Sequence, residues 1–350
     1  MSITFHERPG VYSDYEASSV AAVKNARRVL GVIGVSDATA GLYTVTSYES
    51  AKQTFGEQSE LSEMLRLAYL NGAGEVLAYS ITQDTSENYD AAFAAVLAEK
   101  KASLLAIGSQ TLAVQQAMRT AVEAASEQKG ECIAFCGMQT TSKTDLTTRA
   151  AALNSERVVL MGPSVYLSGS SDAASSCYAA AALAGALCKT SDPAMPLHGL
   201  VLYGLTGVSA VFGDTDYDLL ANGGVSILEC EGGEVSVIRA LTTRTTTGGA
   251  ADLTYHELTT LLIIDEVIPS IRTALRTHFM QAKNNTATRK SIRNRVVMEL
   301  EDRVEREILD SYDDVSVQSA TNDRSVCEVS FVMAVVQGLS RIHLTAHISV

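Results

Sequence analysis

Gly31-Val32-Ile33-Gly34 lies in an apolar run, where a strand would hand over to a phosphate-binding turn. It has neither the G-x-G-x-x-G order nor a Gly-Lys-Ser/Thr ending, so its glycines read as positions of close packing. A serine nucleophile would need a base histidine and an orienting aspartate. Gly169-Ser170-Ser171 precedes a helical pattern, and His198-Gly199 stands in an apolar stretch, but no G-x-S-x-G elbow is present. His343 and His347 are four apart on a strand pattern, which separates them by about 13 Å, too far to share one zinc. Cys132 and Cys136 are spaced Cys-x3-Cys with no second pair, and Cys177, Cys188, Cys230 and Cys327 are scattered. Reduced thiols fit this better than a metal or a disulfide. No catalytic residue, cofactor site or metal site is therefore expected.

One charge feature stands out. Ile271 to Arg295 holds Arg272, Arg276, Lys283, Arg289, Lys290, Arg293 and Arg295 without a single Asp or Glu. Either this is a solvated helix face or it docks on an acidic partner. Nucleic acid fits poorly, because aromatic residues are not interleaved and the chain carries a net charge of −13. The 350 residues are 46% hydrophobic and 19% charged, a globular balance with room for one large or two modest domains. No run reaches the roughly 18–20 apolar residues of a membrane span. The first residues lack the order of a secretion signal, which predicts accumulation in the cytoplasm.

The elements that would position these residues alternate. Val29–Val35 reads as a strand buried on both faces. Leu61, Leu65, Ala68 and Tyr69 mark a helix, Val76–Ile81 a strand, and Phe93, Val96 and Leu97 a second helix. Leu104–Ile107 is a strand; Val114, Ala117, Met118, Ala121, Val122 and Ala125 space a third helix. Strands follow at Glu131–Phe135 and Val158–Met161, then an Ala-rich helix over Ala173–Leu187. This alternation predicts an α/β fold, a largely parallel sheet with flanking helices.

Val225–Cys230 and Val235–Leu241 flank Gly232-Gly233 as a hairpin. Thr254-Tyr255-His256-Glu257 has the form of a capping box, with a helix to follow that Pro269 should kink or restart. Ile292, Val296, Leu300, Val304 and Ile308 form a later helical row. Strands follow at Val315–Val317 and Val326–Val336, with Thr321-Asn322-Asp323 between. The expected division is an amino-terminal β-arm (1–20), an α/β domain (21–250), a smaller α+β domain (251–336) and a carboxy-terminal β-arm (337–350).

These segments, in this order, resemble the contractile phage tail sheath family. Pro9-Gly10-Val11-Tyr12 is similar to its amino-terminal signature, and Val45-Thr46-Ser47-Tyr48-Glu49 with Phe55-Gly56 to a following block. Asn71-Gly72-Ala73-Gly74 resembles its Asn-Gly turn. Asn222-Gly223-Gly224-Val225, Gly233-Glu234-Val235 and Arg239-Ala240-Leu241-Thr242-Thr243 look like its hairpin region. Ile263-Ile264-Asp265-Glu266-Val267 and Asn284-Asn285 resemble its carboxy-terminal domain.

The resemblance implies a subtilisin-like α/β domain without an active site. It also implies self-assembly into stacked hexameric rings and a helical sheath around an inner tail tube, with baseplate and tail terminator proteins as further partners. The setting would be a phage tail or a phage-tail-like bacteriocin, assembled in the bacterial host cytoplasm. Terminal arms would lend strands to neighbouring subunits. Ile3, Phe5, Val11 and Tyr12 would serve at one end; Ile342, Leu344, Ala346, Ile348 and Val350, which alternate with polar residues, would serve at the other. Fourteen extended residues from Gln337 span roughly 45 Å, enough to reach an adjacent subunit. Lys283, Arg289, Lys290, Arg293 and Arg295 become the candidates to face the tube. The competing expectations are an α/β hydrolase with an unrecognised site and a binding module that does not polymerise.

Overall fold

A computed structural model describes residues 28–338. Strand β1 (Val29–Val35) leads into an edge strand, β2 (Gly41–Val45). Helix α1 (Tyr48–Phe55) follows, capped by Ser47, whose Oγ accepts the Ser50 N–H at 3.3 Å. Ser59 caps α2 (Glu60–Asn71) in the same way, at 3.1 Å. Then come β3 (Val76–Ile81), α3 (Ser86–Ala98), β4 (Ala102–Ile107), α4 (Leu112–Glu127), β5 (Ile133–Cys136), α5 (Lys143–Leu153) and β6 (Val158–Gly162). Short strands β7 (Val165–Leu167) and β8 (Ala173–Ala174) precede α6 (Cys177–Lys189). Next are β9 (Leu200–Val201), β10 (Leu205–Val208), α7 (Asp214–Asn222) and the hairpin β11 (Ser226–Glu231) and β12 (Glu234–Arg239). A two-residue ribbon, β13 (Thr246–Thr247) with β14 (Ala250–Ala251), leads to α8 (Leu258–Phe279), α9 (Thr286–Glu305), β15 (Leu309–Ser319) and β16 (Cys327–Val335).

Nine strands form one sheet in the order β2-β3-β1-β4-β5-β6-β11-β12-β9. The neighbours from β3 to β11 are parallel; β2, β12 and β9 add antiparallel edges. Successive residues of a strand point to opposite faces. Leu104 and Ala106 of β4 therefore join the layer of α1, α2 and α6, while Leu105 and Ile107 join that of α3, α4, α5 and α7. The first layer is unusually tight. A Cβ on Gly185 of α6 would lie 2.3 Å from the Ala68 carbonyl oxygen of α2, so glycine lets the two helices meet backbone to backbone.

Three expectations are corrected. The Ala-rich helix begins at Cys177, not Ala173, because Ala173 and Ala174 pair antiparallel with Tyr166 and Val165. Thr254 does not cap α8: its N–H and hydroxyl both go to Asp252 Oδ1 (3.0 and 2.7 Å), and Glu257 holds the N-cap position. Pro269 lies inside α8, which does not restart there. Ile263, Val267 and Ile271 are buried on both sides of it. Burying three such side chains contributes roughly 1.5–3 kcal/mol each, which outweighs the ~3 kcal/mol cost of an interior proline.

The carboxy-terminal part packs α8 and α9 under the β15–β16 ribbon around Ile263, Val267, Ile271, Val296, Leu300, Ile308, Leu309 and Val315. The start of α8 (Leu258, Leu261, Leu262) instead belongs to the core under the main sheet, so one helix serves both cores. Two ion pairs fasten it there: Arg157–Asp265 at 2.5 Å and Arg272–Glu131 at 2.8 Å.

Candidate assembly surfaces

Ligands of open α/β sheets bind outside the carboxyl ends of the strands, where the strand order reverses. In this chain the reversal lies at β1, and the position is filled. Glu60 accepts the Val35 N–H at 3.0 Å, and its carboxyl packs so closely on Gly108 that a Cβ there would lie 2.5 Å from it. Burial pushes the Glu60 pKa up. Beyond β5, Ser176 accepts the Met138 N–H (3.0 Å) and donates to the Met161 carbonyl (2.7 Å), against Gly137. Gly31 and Gly34 meet Val96 and Leu61 at similarly short range, which agrees with the packing reading of those glycines. Ser170 bonds within its own exposed loop, and the exposed His198 holds the Ile238 carbonyl at 2.9 Å. All six cysteines are free thiols. Burial pushes Cys132, Cys177 and Cys188 up to about 12, far from the thiolate that chemistry requires. Among the described residues no group of three or more His, Cys, Asp or Glu could hold a metal ion, and no helix is long and apolar enough to cross a membrane.

The β15–β16 ribbon is a two-stranded sheet, so each strand keeps an outer edge. The two edges differ. β15 carries an extra residue at two register shifts, Leu309/Ser311 and Asp313/Ser316, and Asp314 there has φ +53°. Exposed Asp310, Asp313 and Asp314 stand on it, and Arg293 Nε of α9 holds its Val315 carbonyl at 3.0 Å. Bulges and charge are the usual protections of an edge strand. β16 has none of these apart from Glu328. Its register is regular, and its nine residues alternate half-buried and exposed. Ala320 N–H to Val326 O (3.1 Å) and Val336 N–H to Ile308 O (3.5 Å) point the even-numbered main-chain groups toward β15. Cys327, Val329, Phe331, Met333 and Val335 therefore present N–H and C=O to the open edge. The side chains of Val329, Phe331, Met333 and Val335 pack on the core of α8 and α9 but stay half-exposed, unlike the buried Leu309 and Val315 of β15.

The basic stretch spans the end of α8, the elbow 280–285 and the first half of α9. Its members divide. Arg272 pairs with Glu131 and Arg295 with Glu299 (2.7 Å). Arg289 donates to Asn284 Oδ1 at 2.9 Å, and Arg293 to Val315 as above. Arg276, Lys283 and Lys290 are exposed and, among the described residues, make no ion pair. Asn284 also reaches across to the ribbon tip, donating to Arg324 O (2.7 Å) and Val326 O (3.2 Å). Elbow and tip thus form one end of the molecule. Met280, Arg324 and Val326 are also exposed at that end, which the sequence alone does not show. Ile3, Phe5, Val11, Tyr12, Ile342, Leu344, Ala346, Ile348 and Val350, with His343 and His347, lie outside the described residues.

The comparisons agree with this architecture. Residues 83–243 match the phage tail sheath protein central domain, and residues 250–349 the phage tail sheath C-terminal domain. Among curated proteins none matches the sequence. A chain of the anti-feeding prophage baseplate superposes with TM-score 0.77 at 17% identity, over 99% of this chain and 100% of that one. The contracted helical sheath of the same prophage gives 0.71 at 18% identity, over 98% and 99%. The crystal structure of a sheath tail protein from Desulfitobacterium hafniense gives 0.69 at 10% identity, over 93% and 100%. Two family domains in order along the chain, over residues 83–243 and 250–349, show that it belongs to the phage tail sheath family and is a structural sheath subunit.

Proposed function

We propose that the subunit works by strand exchange and contraction, not by catalysis. Residues 21–250 and 251–336 are its two domains, and 1–20 and 337–350 are arms lent to other copies. An arm adds beside β16, where five residues offer main-chain donors and acceptors and the inward row is half covered. That unprotected edge is the observation that carries the reading, because an exposed regular edge is otherwise an aggregation hazard. The apolar alternation of residues 342–350 matches what the edge lacks. Main-chain bonds then give affinity, and the side-chain row gives register.

The extended sheath is a metastable polymer around the tail tube, bounded by baseplate and terminator proteins. Subunits move as nearly rigid bodies into a lower-energy packing while the lent strands keep the mesh joined. The work comes from the difference between two sets of interfaces, so no nucleotide is needed. The basic set Lys283, Arg289, Lys290, Arg293 and Arg295 faces the tube, with Lys283 and Lys290 as the contacts still open. Charge pairs at a wet interface fix register and remain breakable.

Deletion of residues 338–350 tests the reading. The truncated chain should keep its circular dichroism and unfolding midpoint, yet show no striated tubes by negative-stain microscopy. Tubes of normal length from the truncated chain would refute strand exchange through this arm.

A further inference from the structure

We infer that helix α7 of one copy lies in the groove between helices α3 and α4 of the next, a head-to-tail contact separate from any lent strand. This rests on the reading that the subunit polymerises. Helices α3 and α4 leave between them a groove of about 580 Å³. Half-buried Leu97, Ala117 and Ala121 and exposed Ala94, Ala98 and Ala124 line it, so it is apolar and its walls are short. Such walls leave room for a third helix. The groove ends in cations. Lys100 lines that end, its Nζ donating to the Gln128 carbonyl at 3.4 Å. Lys101 and Lys129 join Lys100 around the adjoining cleft. Lys100 and Lys129 follow α3 and α4 in the same way, in left-handed turns with φ +49° and +66°. Glu99 holds Lys101 at 3.4 Å, whereas Lys100 and Lys129 make no ion pair among the described residues.

Helix α7 has the matching surface. Its inner side holds buried Leu220 and Ala221, and Tyr217 meets Phe212 edge-on with ring centroids 6.4 Å apart. Its outer side carries exposed Thr215 and Leu219, four residues apart, and Val211 precedes them at the same spacing. Leu219 is 47% exposed and Val211 82%. Asp214 and Asp218, again four apart, stand exposed beside this row. Lys143 holds Asp216, but Asp214 and Asp218 make no ion pair among the described residues. An amphipathic helix lays its apolar row into an apolar groove. Here the unpaired carboxylates would also meet the unpaired ammonium groups at the groove's end, which fixes register. The two surfaces cannot meet within one chain. Helices α3, α4, α5 and α7 share one face of the sheet, and α5 packs between α4 and α7. Groove and helix are different patches, so the contact is heterologous, and its repetition gives a ring or a helix instead of a closed pair.

The test uses the full chain and reads the critical concentration for polymerisation by light scattering. Lys100→Glu with Lys129→Glu should raise it roughly tenfold, and Asp214→Lys with Asp218→Lys should do the same. An equimolar mixture of these two variants should polymerise near the parent's value, because each offers the surface that the other lacks. Ala124→Trp, which fills the groove from an exposed position, should raise it about as much with the salt dependence unchanged. Unchanged circular dichroism and unfolding midpoints will show that the variants fold. If all three variants polymerise like the parent while removal of residues 338–350 blocks assembly, the groove contact is wrong and polymerisation through lent strands stands. If the two charge variants fail alone and also fail when mixed, these surfaces do not meet and the inference is overturned. If the parent stays monomeric at every concentration, the polymerisation reading fails and the groove contact with it.

Discussion

Replacing Val329 by proline separates the fold of the subunit from its assembly. Val329 directs its N–H to the open edge of β16, so the substitution takes nothing from the ladder with β15. Proline is tolerated in edge strands when the lost N–H faces outward. The side chain is half-buried, so the isolated subunit should lose about 1 kcal/mol or less. An added strand meets a different edge. One donor is gone and the ring stands in its path, so two or three hydrogen bonds fail at about 1 kcal/mol each. A joint weaker by about 2–3 kcal/mol has an equilibrium constant lower by roughly 30- to 150-fold. The assay is the critical concentration for polymerisation by light scattering, with microscopy of the pellet. Val329→Ala removes similar packing but keeps the N–H, and should polymerise nearly as well as the parent. Ser330→Pro attacks the β15 ladder and should destabilise the subunit itself. Normal polymerisation of Val329→Pro, or an equal block by Val329→Ala, would show that main-chain pairing at β16 is not the joint.

Further outcomes concern the body of the subunit. Burial raises the Glu60 pKa in the folded chain, so its favourable contribution is present below the unfolded pKa and is lost as pH rises through the folded one. Glu60→Gln keeps an acceptor for Val35 and should raise the melting temperature at pH 7, with the gain shrinking as pH falls through the raised folded pKa and gone once pH is below the ordinary glutamate range. Asp265→Asn leaves the mostly buried Arg157 without its counter-charge and should cost about 2–4 kcal/mol in urea unfolding, whereas Arg157→Met with Asp265→Leu should recover most of that. Gly185→Ala forces a methyl against the Ala68 carbonyl and should cost about 1–3 kcal/mol by the same measurement. In native protein only Cys230 and Cys327, both partly exposed, should react with a thiol reagent within minutes; rapid labelling of Cys136 or Cys188 would contradict the packing around α6.

The layered sheet was legible in the chain because its signals are local. Val29–Val35 and Val76–Ile81 are strands with the bounds that their apolar runs predict, since a strand covered on both faces needs no alternation. The helical row from Val114 to Ala125 and the hairpin about Gly232-Gly233 are equally local, each set by a periodicity or a turn requirement. The errors came where a local preference met a competing partner. Ala173 and Ala174 favour helix but found strand partners at Val165 and Tyr166. Thr254 has the spacing of a cap but found Asp252 first.

The sequence by itself determined the order of elements, the missing catalytic motifs, the basic concentration between Ile271 and Arg295, and the family. Only the tertiary structure decided what those residues are free to do. Arg293 looks like Lys290 in the chain, yet a bulge in β15 places a carbonyl beside it and engages it. Likewise β15 and β16 are similar apolar-polar segments, and pairing gives the extra residues to one and leaves the other an unbroken edge. Periodicity depends on neighbours in the chain, whereas the freedom of a charge or an edge depends on what folding brings beside it.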